Sequence, residues 1–281
     1  MRLAIVADWL TTYGGAEHVI ARMLALWPDA TVFTTVARRG RLGPLDSADI
    51  RVTPLQRWYD RIGVHQVLLP WMPQAIEGID LSGYDVVLSS SHAVAKGVVP
   101  PALSAHVCYC HTPMRYAWEM EETYLQDFRV PGFLRKPVKK QLKRLRRWDL
   151  ATAKRVDAFL ANSTETQRRI ERTYGRTSTV VPPPVSEHFF AAAAPARRER
   201  YFLALGRLVP YKRFDLLIEA ANALGLPLWI AGKGQDEARL KRMAGPTVRF
   251  PGFAPEEDLP GLYAGAEAPV FPQHEAAGLV L

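Results

Sequence analysis

The sequence predicts an α/β fold made of two consecutive units, each built around a parallel sheet. Short apolar runs such as "RLAIVAD" and "YFLALG" alternate with amphipathic helical segments along the chain. Strands of this kind, separated by helices, lie in parallel sheets that are covered on both faces. A stretch rich in Pro and Ala, 186–199, interrupts the alternation, and the pattern restarts after it. We therefore interpret 186–199 as a linker between two domains.

The elements of the first unit, 1–185, follow one another in a regular order. "RLAIVAD" is a strand, the turn "TTYGG" comes next, and "AEHVIARMLALW" is a helix. "ATVFTTV", "YDVVLSSS", "SAHVCYCHT" and "RVDAFLANS" are the following strands. Ser163 or Thr164 caps the helix "ETQRRIERTYG", because a hydroxyl accepts a free N–H of the first turn. "STVVPPPV" is a short strand that three prolines stop.

The second unit, 200–281, repeats the alternation. Its predicted strands are "RYFLALGRL", "LPLWIAGKG", "TVRFPGF" and "EAPVFPQ", and its helices are "RFDLLIEAANAL", "DEARLKRMAG" and "EEDLPGLYAGA". The last residues, "HEAAGLVL", predict the start of a helix without its end. We therefore expect the second unit to be incomplete at its C-terminus.

Composition limits the class of protein. The 281 residues are 48% hydrophobic and 23% charged, which is ordinary for a globular chain. No apolar run approaches the roughly 18 residues of a membrane-spanning helix. The two cysteines, Cys108 and Cys110, share one strand face, with Cα atoms about 6.5–7 Å apart, at the limit of disulfide geometry. They favour a reduced, cytoplasmic protein.

Positive charge is concentrated in one region. The net charge is +8, yet residues 133–176 contain 14 Lys/Arg and 4 Asp/Glu. Within it, Val138, Leu142, Leu145 and Trp148 form one helical face, with Lys and Arg at the other positions. That pattern fits an interfacial helix, 134–150, on anionic lipid. It equally fits a solvated helix whose apolar face is in the core. Nucleic acid is the weaker partner, because no recognition motif accompanies the charge.

Two segments are candidate phosphate sites. Gly14 and Gly15 lie between the first strand and a helix N-terminus, where backbone N–H groups and the helix dipole favour an anion. The alternative is a tight turn that needs glycine. Arg207 and Lys212 follow the first strand of the second unit, where open α/β sheets bind ligands, and two cations there suit a diphosphate. The alternative is a solvated loop with ordinary charges.

Two further candidates lie at strand ends. Glu275 follows the last strand, and backbone amides near Gly278 are placed to face a phosphate. An acidic residue that stabilises the helix dipole is the alternative there. His111 ends the strand "SAHVCYCHT", and Pro113 stops its continuation. A loop histidine with no ligand is the alternative for His111.

Six segments identify a family. They are, in chain order, "GGAEHV", "SSSHAVAKGV", "CYCHTPMRYAWE", "LRRWDLATAKRVDAFLANS", "VVPPPV" and "LGRLVPYKRFDLLIEA". With them the whole chain resembles the retaining glycosyltransferases of family 4, which have the GT-B fold. The nearest subgroup is the bacterial mannosyltransferase-like enzymes of O-antigen and exopolysaccharide assembly. The resemblance implies two Rossmann-like domains that face a cleft, an acceptor-side domain (1–185) and a nucleotide-sugar domain (200–281).

The resemblance also implies roles for single residues. Gly14 and Gly15 approach the donor or the acceptor, and His111 contacts the donor sugar. Arg207 and Lys212 bind the diphosphate.

Glu275 matches the first carboxylate of a Glu-x7-Glu motif, the one that holds the sugar. The second glutamate falls two residues past Leu281, so we expect this chain to be inactive or nearly so in sugar transfer. Arg115, Tyr116 and Trp118 follow the His111 turn as a wall for a sugar acceptor, or else they pack locally.

The implied activity is transfer of a hexose, mannose from GDP-mannose in the first place, to a lipid-linked or glycan acceptor. The alternatives are a hexosyltransferase of the same family that uses a UDP-sugar, and an inactive fragment. We expect no cofactor besides the donor substrate and no catalytic metal, since the chain has no D-x-D motif. The expected location is the cytoplasmic face of the plasma membrane, with peripheral attachment.

Overall fold

A computed structural model describes residues 1–118, 131–185, 189 and 200–272. The chain divides into two compact units, Met1–Pro184 and Val185–Leu281, and each has a sheet of its own. Except for Phe189, the predicted linker 186–199 lies outside the described residues.

Within its described residues, unit 1 contains a seven-stranded sheet in the order β3-β2-β1-β4-β5-β6-β7, with every neighbouring pair parallel. The strands are β1 (Leu3–Ala7), β2 (Thr31–Thr34), β3 (Ile50–Val52), β4 (Val86–Ser91), β5 (Ala105–Cys110), β6 (Ala158–Ala161) and β7 (Thr179–Val180). The chain runs outward from β1 to β3 and then returns to the other side of β1 as β4. The carboxyl ends of β1 and β4 therefore form a topological switch point, where open α/β sheets bind ligands.

Helices cover both faces of this sheet. They are α1 (Gly15–Leu26), α2 (Gln56–Ile62), α3 (Met72–Glu77), α4 (Arg115–Trp118), α5 (Gly132–Thr152) and α6 (Thr164–Tyr174). Side chains of β1 alternate between two core clusters, Ala4 and Val6 in one, Leu3, Ile5 and Ala7 in the other. This alternation is the two-residue period of a strand that is buried on both faces.

The basic helix α5 lies with its apolar face in the core. Leu142 and Leu145 are buried, and Val138 and Trp148 pack against the same cluster. Six of its basic side chains are exposed, namely Arg135, Lys136, Lys140, Lys143, Arg144 and Arg147. The apolar face of α5 is therefore packed inside unit 1, and the exposed face of the helix is positively charged. In the described ranges no helix combines the length and the apolar composition that crossing a bilayer requires.

A buried ion pair joins the turn after β4 to α5. Lys96 Nζ lies 2.6 Å from Asp149 Oδ1, and the two side chains are 2% and 0% exposed. Lys96 Nζ also donates to the Asp149 carbonyl at 2.8 Å and to Thr152 Oγ1 at 3.2 Å. The second carboxylate oxygen, Asp149 Oδ2, accepts Trp118 Nε1–H at 2.7 Å and the Tyr174 hydroxyl at 2.9 Å. Both charges are therefore compensated, as burial requires.

A second buried polar group lies at the start of β5. His106 Nδ1 donates to the Arg155 carbonyl at 3.1 Å, so its Nε2 accepts from Ser89 Oγ at 2.9 Å. Burial lowers the pKa of His106 to about 4, although the Arg155 carbonyl and the nearby Asp157 carboxylate oppose the shift. The imidazole is therefore neutral in the folded protein at neutral pH.

Unit 2 has the same design on a smaller scale. Its described residues form a four-stranded parallel sheet in the order β10-β9-β8-β11. The strands are β8 (Tyr201–Leu205), β9 (Leu228–Ala231), β10 (Val248–Gly252) and β11 (Ala266–Pro269), and the helices are α7 (Phe214–Leu224), α8 (Glu237–Met243) and α9 (Leu259–Gly265). Because β11 returns beside β8, the switch point of this sheet lies at the carboxyl ends of β8 and β11.

The elements named from sequence all occur where the structure describes them. The predicted hydroxyl cap is Ser163, whose Oγ accepts the Thr166 N–H at 3.1 Å. No sequence pattern predicts the segment that contains β3, α2 and α3. These elements are three to seven residues long, too short for a clear period.

We expect Lys96→Met to destabilise unit 1 by about 3–5 kcal/mol, because it leaves the Asp149 carboxylate buried without its cation. The melting temperature of that unit should fall by on the order of 10 °C. Lys143→Met is the matched control, since Lys143 is exposed on α5 and should change stability by less than about 0.5 kcal/mol. Equal melting temperatures for the two variants would show that the ion pair does not stabilise the fold.

His106 should make stability depend on pH. Unfolded histidine takes up a proton near pH 6.5, whereas folded His106 does so at about 4. The unfolded state thus binds more protons between these values, and the free energy of unfolding falls as the pH is lowered through them. From pH 7 to 5 this group should remove about 2 kcal/mol. In urea titrations at both pH values, His106→Gln should reduce the loss by that amount; an unchanged loss would contradict the assignment.

Candidate functional site

Three polar residues of unit 1 directly follow the last residues of three neighbouring strands. Asp8 follows β1, His92 follows β4 and His111 follows β5. Since these strands are parallel and adjacent, the three residues lie together at the carboxyl edge of the sheet. Two of them, Asp8 and His92, are at the switch point itself. The edge is therefore the candidate site of this unit.

The carboxylate of Asp8 holds the loop that follows β4. Its oxygens accept the backbone N–H groups of residues 92 to 95 at 2.5–3.1 Å. His92 Nδ1 lies 2.9 Å from Asp8 Oδ2, and Ser91 Oγ donates at 3.4 Å. Burial by itself raises the pKa of Asp8, but the attraction and hydrogen bonds of His92 and the Ala95 N–H outweigh it and lower that pKa. Asp8 is therefore ionised at neutral pH.

Aromatic rings surround His92. The ring of Trp9 meets His92 edge-on, with centroids 4.8 Å apart, and Trp9 stacks on His65 at 4.6 Å. The His111 ring lies 6.4 Å from the His92 ring. His92 itself is 31% exposed. Trp9 and His65 are likewise partly exposed, whereas His111 is buried.

His111 reaches the predicted edge but is 9% exposed. Its Nε2 is hydrogen-bonded to Ser90 Oγ at 2.8 Å, and the Tyr109 ring lies 5.2 Å away. Burial, with a contribution from His92, lowers the pKa of His111 to about 3. The ring is therefore neutral at physiological pH, and any role it has uses hydrogen bonding or packing.

The N-terminus of α1 lies beside Gly14 and Gly15 and already holds a carboxylate. Gly14 has an extended backbone, and a Cβ at this position would meet Glu17 Oε2 at an ordinary 3.4 Å. The fold therefore does not require glycine at Gly14. Burial raises the pKa of Glu17, and hydrogen bonds from its own N–H and Gly14, with attraction to His92, oppose the shift. The Glu17 carboxylate thus lies at the helix N-terminus, where the sequence analysis expected an approaching ligand.

The segment after His111 packs locally where it is described. Trp118 donates its indole N–H to Asp149 and packs against the core. Arg115 Nε is buried and has no hydrogen-bond partner among the described residues. The two possibilities for this segment are a wall that faces a sugar acceptor and local packing. Trp118 packs locally. The side chain of Tyr116 lies outside the described residues.

Arg207 and Lys212 lie at the switch point of unit 2. Arg207 is exposed two residues after β8, and its Nη2 is 3.5 Å from the Tyr211 hydroxyl. Lys212 is partly buried in the turn before α7, and its Nζ lies 3.0 Å from the position of a Cβ on Gly206. The structure thus brings both predicted cations to the carboxyl end of β8.

Close backbone contacts shape this edge. A Cβ on Gly232 would lie 1.9 Å from the Gly206 carbonyl oxygen, and one on Gly234 would lie 2.0 Å from that of Leu208. The Leu208 N–H donates to the Lys233 carbonyl at 3.0 Å. Only glycine permits this approach at 232 and 234. The loop after β9 therefore supports the loop that carries Arg207.

Some predicted residues lie beyond what the structure describes, and some relevant ones were missed. Glu275 and Gly278 lie outside the described residues. No sequence motif singles out Asp8, Glu17 or His92 as site residues. For Asp8 and His92 the available signal is a polar residue directly after a predicted strand. Among the described residues, no group of three or more His, Cys, Asp or Glu side chains is arranged to hold a metal ion.

Comparison with known proteins identifies the family. Residues 13–189 match the model described as Glycosyltransferase Family 4, and residues 185–281 match Glycosyl transferases group 1. Mannosylfructose-phosphate synthase of Agrobacterium fabrum is 24% identical over 244 residues, which are 73% of this chain and 52% of that protein. The chain therefore spans about half the length of this curated relative.

Two solved structures share the fold. Anabaena HepE, in complex with UDP and glucose, has a TM-score of 0.62 at 16% identity, covering 100% of this chain and 77% of that chain. AviGT4, a glycosyltransferase involved in avilamycin A biosynthesis, has a TM-score of 0.50 at 18% identity, covering 96% and 68%. With the two parallel α/β units, they confirm the predicted GT-B class. Since the family 4 model matches more than half of its residues, the chain belongs to glycosyltransferase family 4.

Proposed function

We propose that this protein is a retaining glycosyltransferase that uses a nucleotide sugar. It transfers a hexose, mannose from GDP-mannose in the first place, to a lipid-linked or glycan acceptor in the synthesis of cell-surface polysaccharide. Family membership supports the reaction class. The name of the Agrobacterium relative, a mannosylfructose-phosphate synthase, supports mannose as the transferred sugar.

The pair Arg207 and Lys212 carries the proposal. Both are at the carboxyl end of β8, beside β11, where a sheet of this topology binds ligands. In the reaction, the bond between the anomeric carbon and the diphosphate oxygen breaks, and a bond from that carbon to an acceptor hydroxyl oxygen forms. The hydroxyl proton leaves with the nucleoside diphosphate or with solvent. Negative charge grows on the diphosphate as the bond breaks, and two fixed cations stabilise it.

The remaining predicted residues complete the proposal. His111 contacts the donor sugar as a neutral hydrogen-bonding ring, consistent with its low pKa. Glu275 holds the sugar hydroxyls, and amides near Gly278 face a phosphate. Gly14 and Gly15 lie next to the bound sugar.

A UDP-sugar is the second candidate donor. HepE, which shares the fold, was solved with UDP and glucose. Its 16% identity supports the fold alone, so the base is a question for binding experiments. Both candidates place the diphosphate on Arg207 and Lys212.

The acceptor is proposed to be reached at the cytoplasmic face of an anionic membrane. Helix α5 presents a row of exposed Lys and Arg, which attract anionic headgroups at about 1 kcal/mol each. A second segment of unit 1 exposes large apolar side chains, namely Trp58, Ile62, Val64, Val67 and Trp71. Exposed Trp beside Arg57 and Arg61 is typical of the membrane interface. Both features support peripheral attachment.

Arg207→Ala and Lys212→Ala should each weaken binding of GDP or UDP by at least about tenfold, because a charge-assisted hydrogen bond contributes about 1.5–3 kcal/mol. Calorimetry with GDP, UDP and ADP measures this and also identifies the base. Arg242→Ala and Lys241→Ala are the matched controls, since both residues are on α8. Wild-type affinity in both Arg207→Ala and Lys212→Ala would remove the pair from the site, and with it the proposed function.

Replacing Lys140, Lys143, Arg144 and Arg147 together by Gln should weaken binding to phosphatidylglycerol vesicles by at least about a hundredfold, from the loss of about 4 kcal/mol of attraction. Vesicle sedimentation at low and high salt measures it. A control with the same change of charge replaces four exposed residues elsewhere by Gln, namely Arg22, Lys241, Arg242 and Arg249. Equal binding by the two quadruple variants would exclude α5 as the attachment surface.

A further inference from the structure

Unit 1 exposes an apolar surface between α2 and α3. Large apolar side chains in residues 58–71 are each between 42% and 57% exposed, namely Trp58, Ile62, Val64, Val67 and Trp71. Single exposed apolar residues are common, but a group of them within one short segment marks an interaction site. The question is which partner this surface fits.

Packing inside unit 1 does not account for this surface. Tyr59 is on the inner side of α2, buried in the core cluster that contains Ala4 and Val6 of β1. Trp58 and Ile62 are four residues apart, so they lie on the same side of α2, and both are exposed. The helix therefore has apolar side chains that the core covers and others that the fold leaves open.

The charge beside this surface favours an anionic partner. Arg57 and Arg61 are exposed on α2. Asp60 is the acidic residue of this helix, and its Oδ1 accepts Gln56 Nε2–H at 2.7 Å. Tryptophan beside arginine suits the headgroup layer of a bilayer, because indole is amphipathic and a guanidinium stays with the headgroups while its stem covers apolar surface.

The basic helix α5 lies on the same side of unit 1. Leu145 of α5 belongs to the same core cluster as Tyr59 of α2 and Met72 of α3. Trp148 Nε1–H of α5 also donates to Glu77 Oε1 of α3 at 2.9 Å. The helices α2, α3 and α5 therefore cover one face of the sheet, whereas α1 packs on the other. The apolar surface and the basic surface face outward from the same side.

The apolar surface borders the carboxyl edge of the sheet. His65, in the turn His65–Leu68, stacks on Trp9 with ring centroids 4.6 Å apart. Trp9 directly follows Asp8 at the switch point. A partner that covers the apolar surface is therefore held next to the edge where sheets of this topology bind ligands.

We propose that residues 58–71 insert into the headgroup layer of an anionic membrane and that α5 faces the same bilayer. Trp58, Trp71 and the apolar side chains between them supply an attraction that salt does not screen, whereas α5 supplies one that salt does screen. The inference deepens the proposed function and rests on it, because it names the surface at which a lipid-linked acceptor reaches the edge of unit 1.

A second copy of this chain fits the surface less well. In a symmetric dimer the same surface meets itself, which would bring Arg57 and Arg61 of one copy against the basic residues of the other. Like charges that meet at an interface disfavour it. An anionic bilayer instead pairs the apolar side chains with acyl chains and the arginines with phosphate.

The first test measures insertion at one position. Both native cysteines are buried, so a cysteine introduced by Val67→Cys is labelled selectively with a thiol-reactive NBD fluorophore. Its emission should rise on addition of phosphatidylglycerol vesicles, because NBD brightens when it leaves water. Leu26→Cys is the matched control, since Leu26 is exposed at the end of α1, on the other face of the sheet. A label at that position should not respond.

The second test separates the apolar attraction from the charge. In about 1 M salt, where charges are screened beyond about 3 Å, Trp58→Gln combined with Val67→Gln should weaken vesicle binding by at least about tenfold. Leu26→Gln combined with Leu103→Gln removes two exposed apolar side chains elsewhere and should leave binding unchanged. The quadruple α5 variant should keep its binding at high salt. Both double variants should keep the wild-type melting temperature, because all four side chains are exposed.

Three results would overturn the inference. They are emission at position 67 that vesicles do not raise, equal responses at positions 26 and 67, and equal binding at high salt by the wild type and the Trp58→Gln, Val67→Gln variant. Emission at position 67 that rises with protein concentration alone would assign the surface to a second copy and also overturn it.

The readouts need no nucleotide, so the inference and the proposed function fail separately. If GDP and UDP do not bind at Arg207 and Lys212 while position 67 still inserts, the proposed function fails and the membrane surface stands. The reverse pattern removes the membrane surface and leaves the transferase proposal intact.

Discussion

The buried carboxylate of Asp8 is the interaction on which the carboxyl edge of the unit 1 sheet depends. It closes the switch point by binding the loop after β4 from the end of β1, a contact between residues 84 to 87 positions apart. Burying a charge is costly unless hydrogen bonds compensate it, and here several N–H donors do so. A loop at a switch point would otherwise be free to take many conformations. Here one anion accepts hydrogen bonds from four consecutive amides and so restrains the loop.

The same loop leads into a second buried network. The turn that starts at Ala95 carries Lys96 into the ion pair with Asp149 on α5. Asp149 in turn accepts the indole N–H of Trp118 on α4. Next to Lys96, a Cβ on Gly97 would lie 2.3 Å from the Trp148 ring, so the turn and the helix fit closely. The end of β4 is thus joined to α5 by the buried ion pair, and α5 is joined to α4 by the buried hydrogen bond.

Unit 2 organises its switch point by other means. Arg207 and Lys212 are set by backbone packing, since Gly232 and Gly234 let the loop after β9 touch the loop after β8. Cations at this edge therefore remain partly or fully exposed. Unit 1 instead buries the Asp8 carboxylate at its switch point.

The sequence by itself determined the α/β class, the strand and helix segments with clear periods, and the position of Arg207, Lys212 and His111 at strand ends. Local pattern suffices for these, because a buried parallel strand is apolar and its polar successor lies at the sheet edge. The tertiary structure decided which residues meet. In the sequence, Asp8 is only the end of a strand and His92 is only part of a polar turn. The two residues meet because β1 lies beside β4 in the sheet. The tertiary structure also decided that the apolar face of α5 packs in the core and that His111 bonds Ser90. Each depends on contacts between distant segments, and a local period carries no information about them.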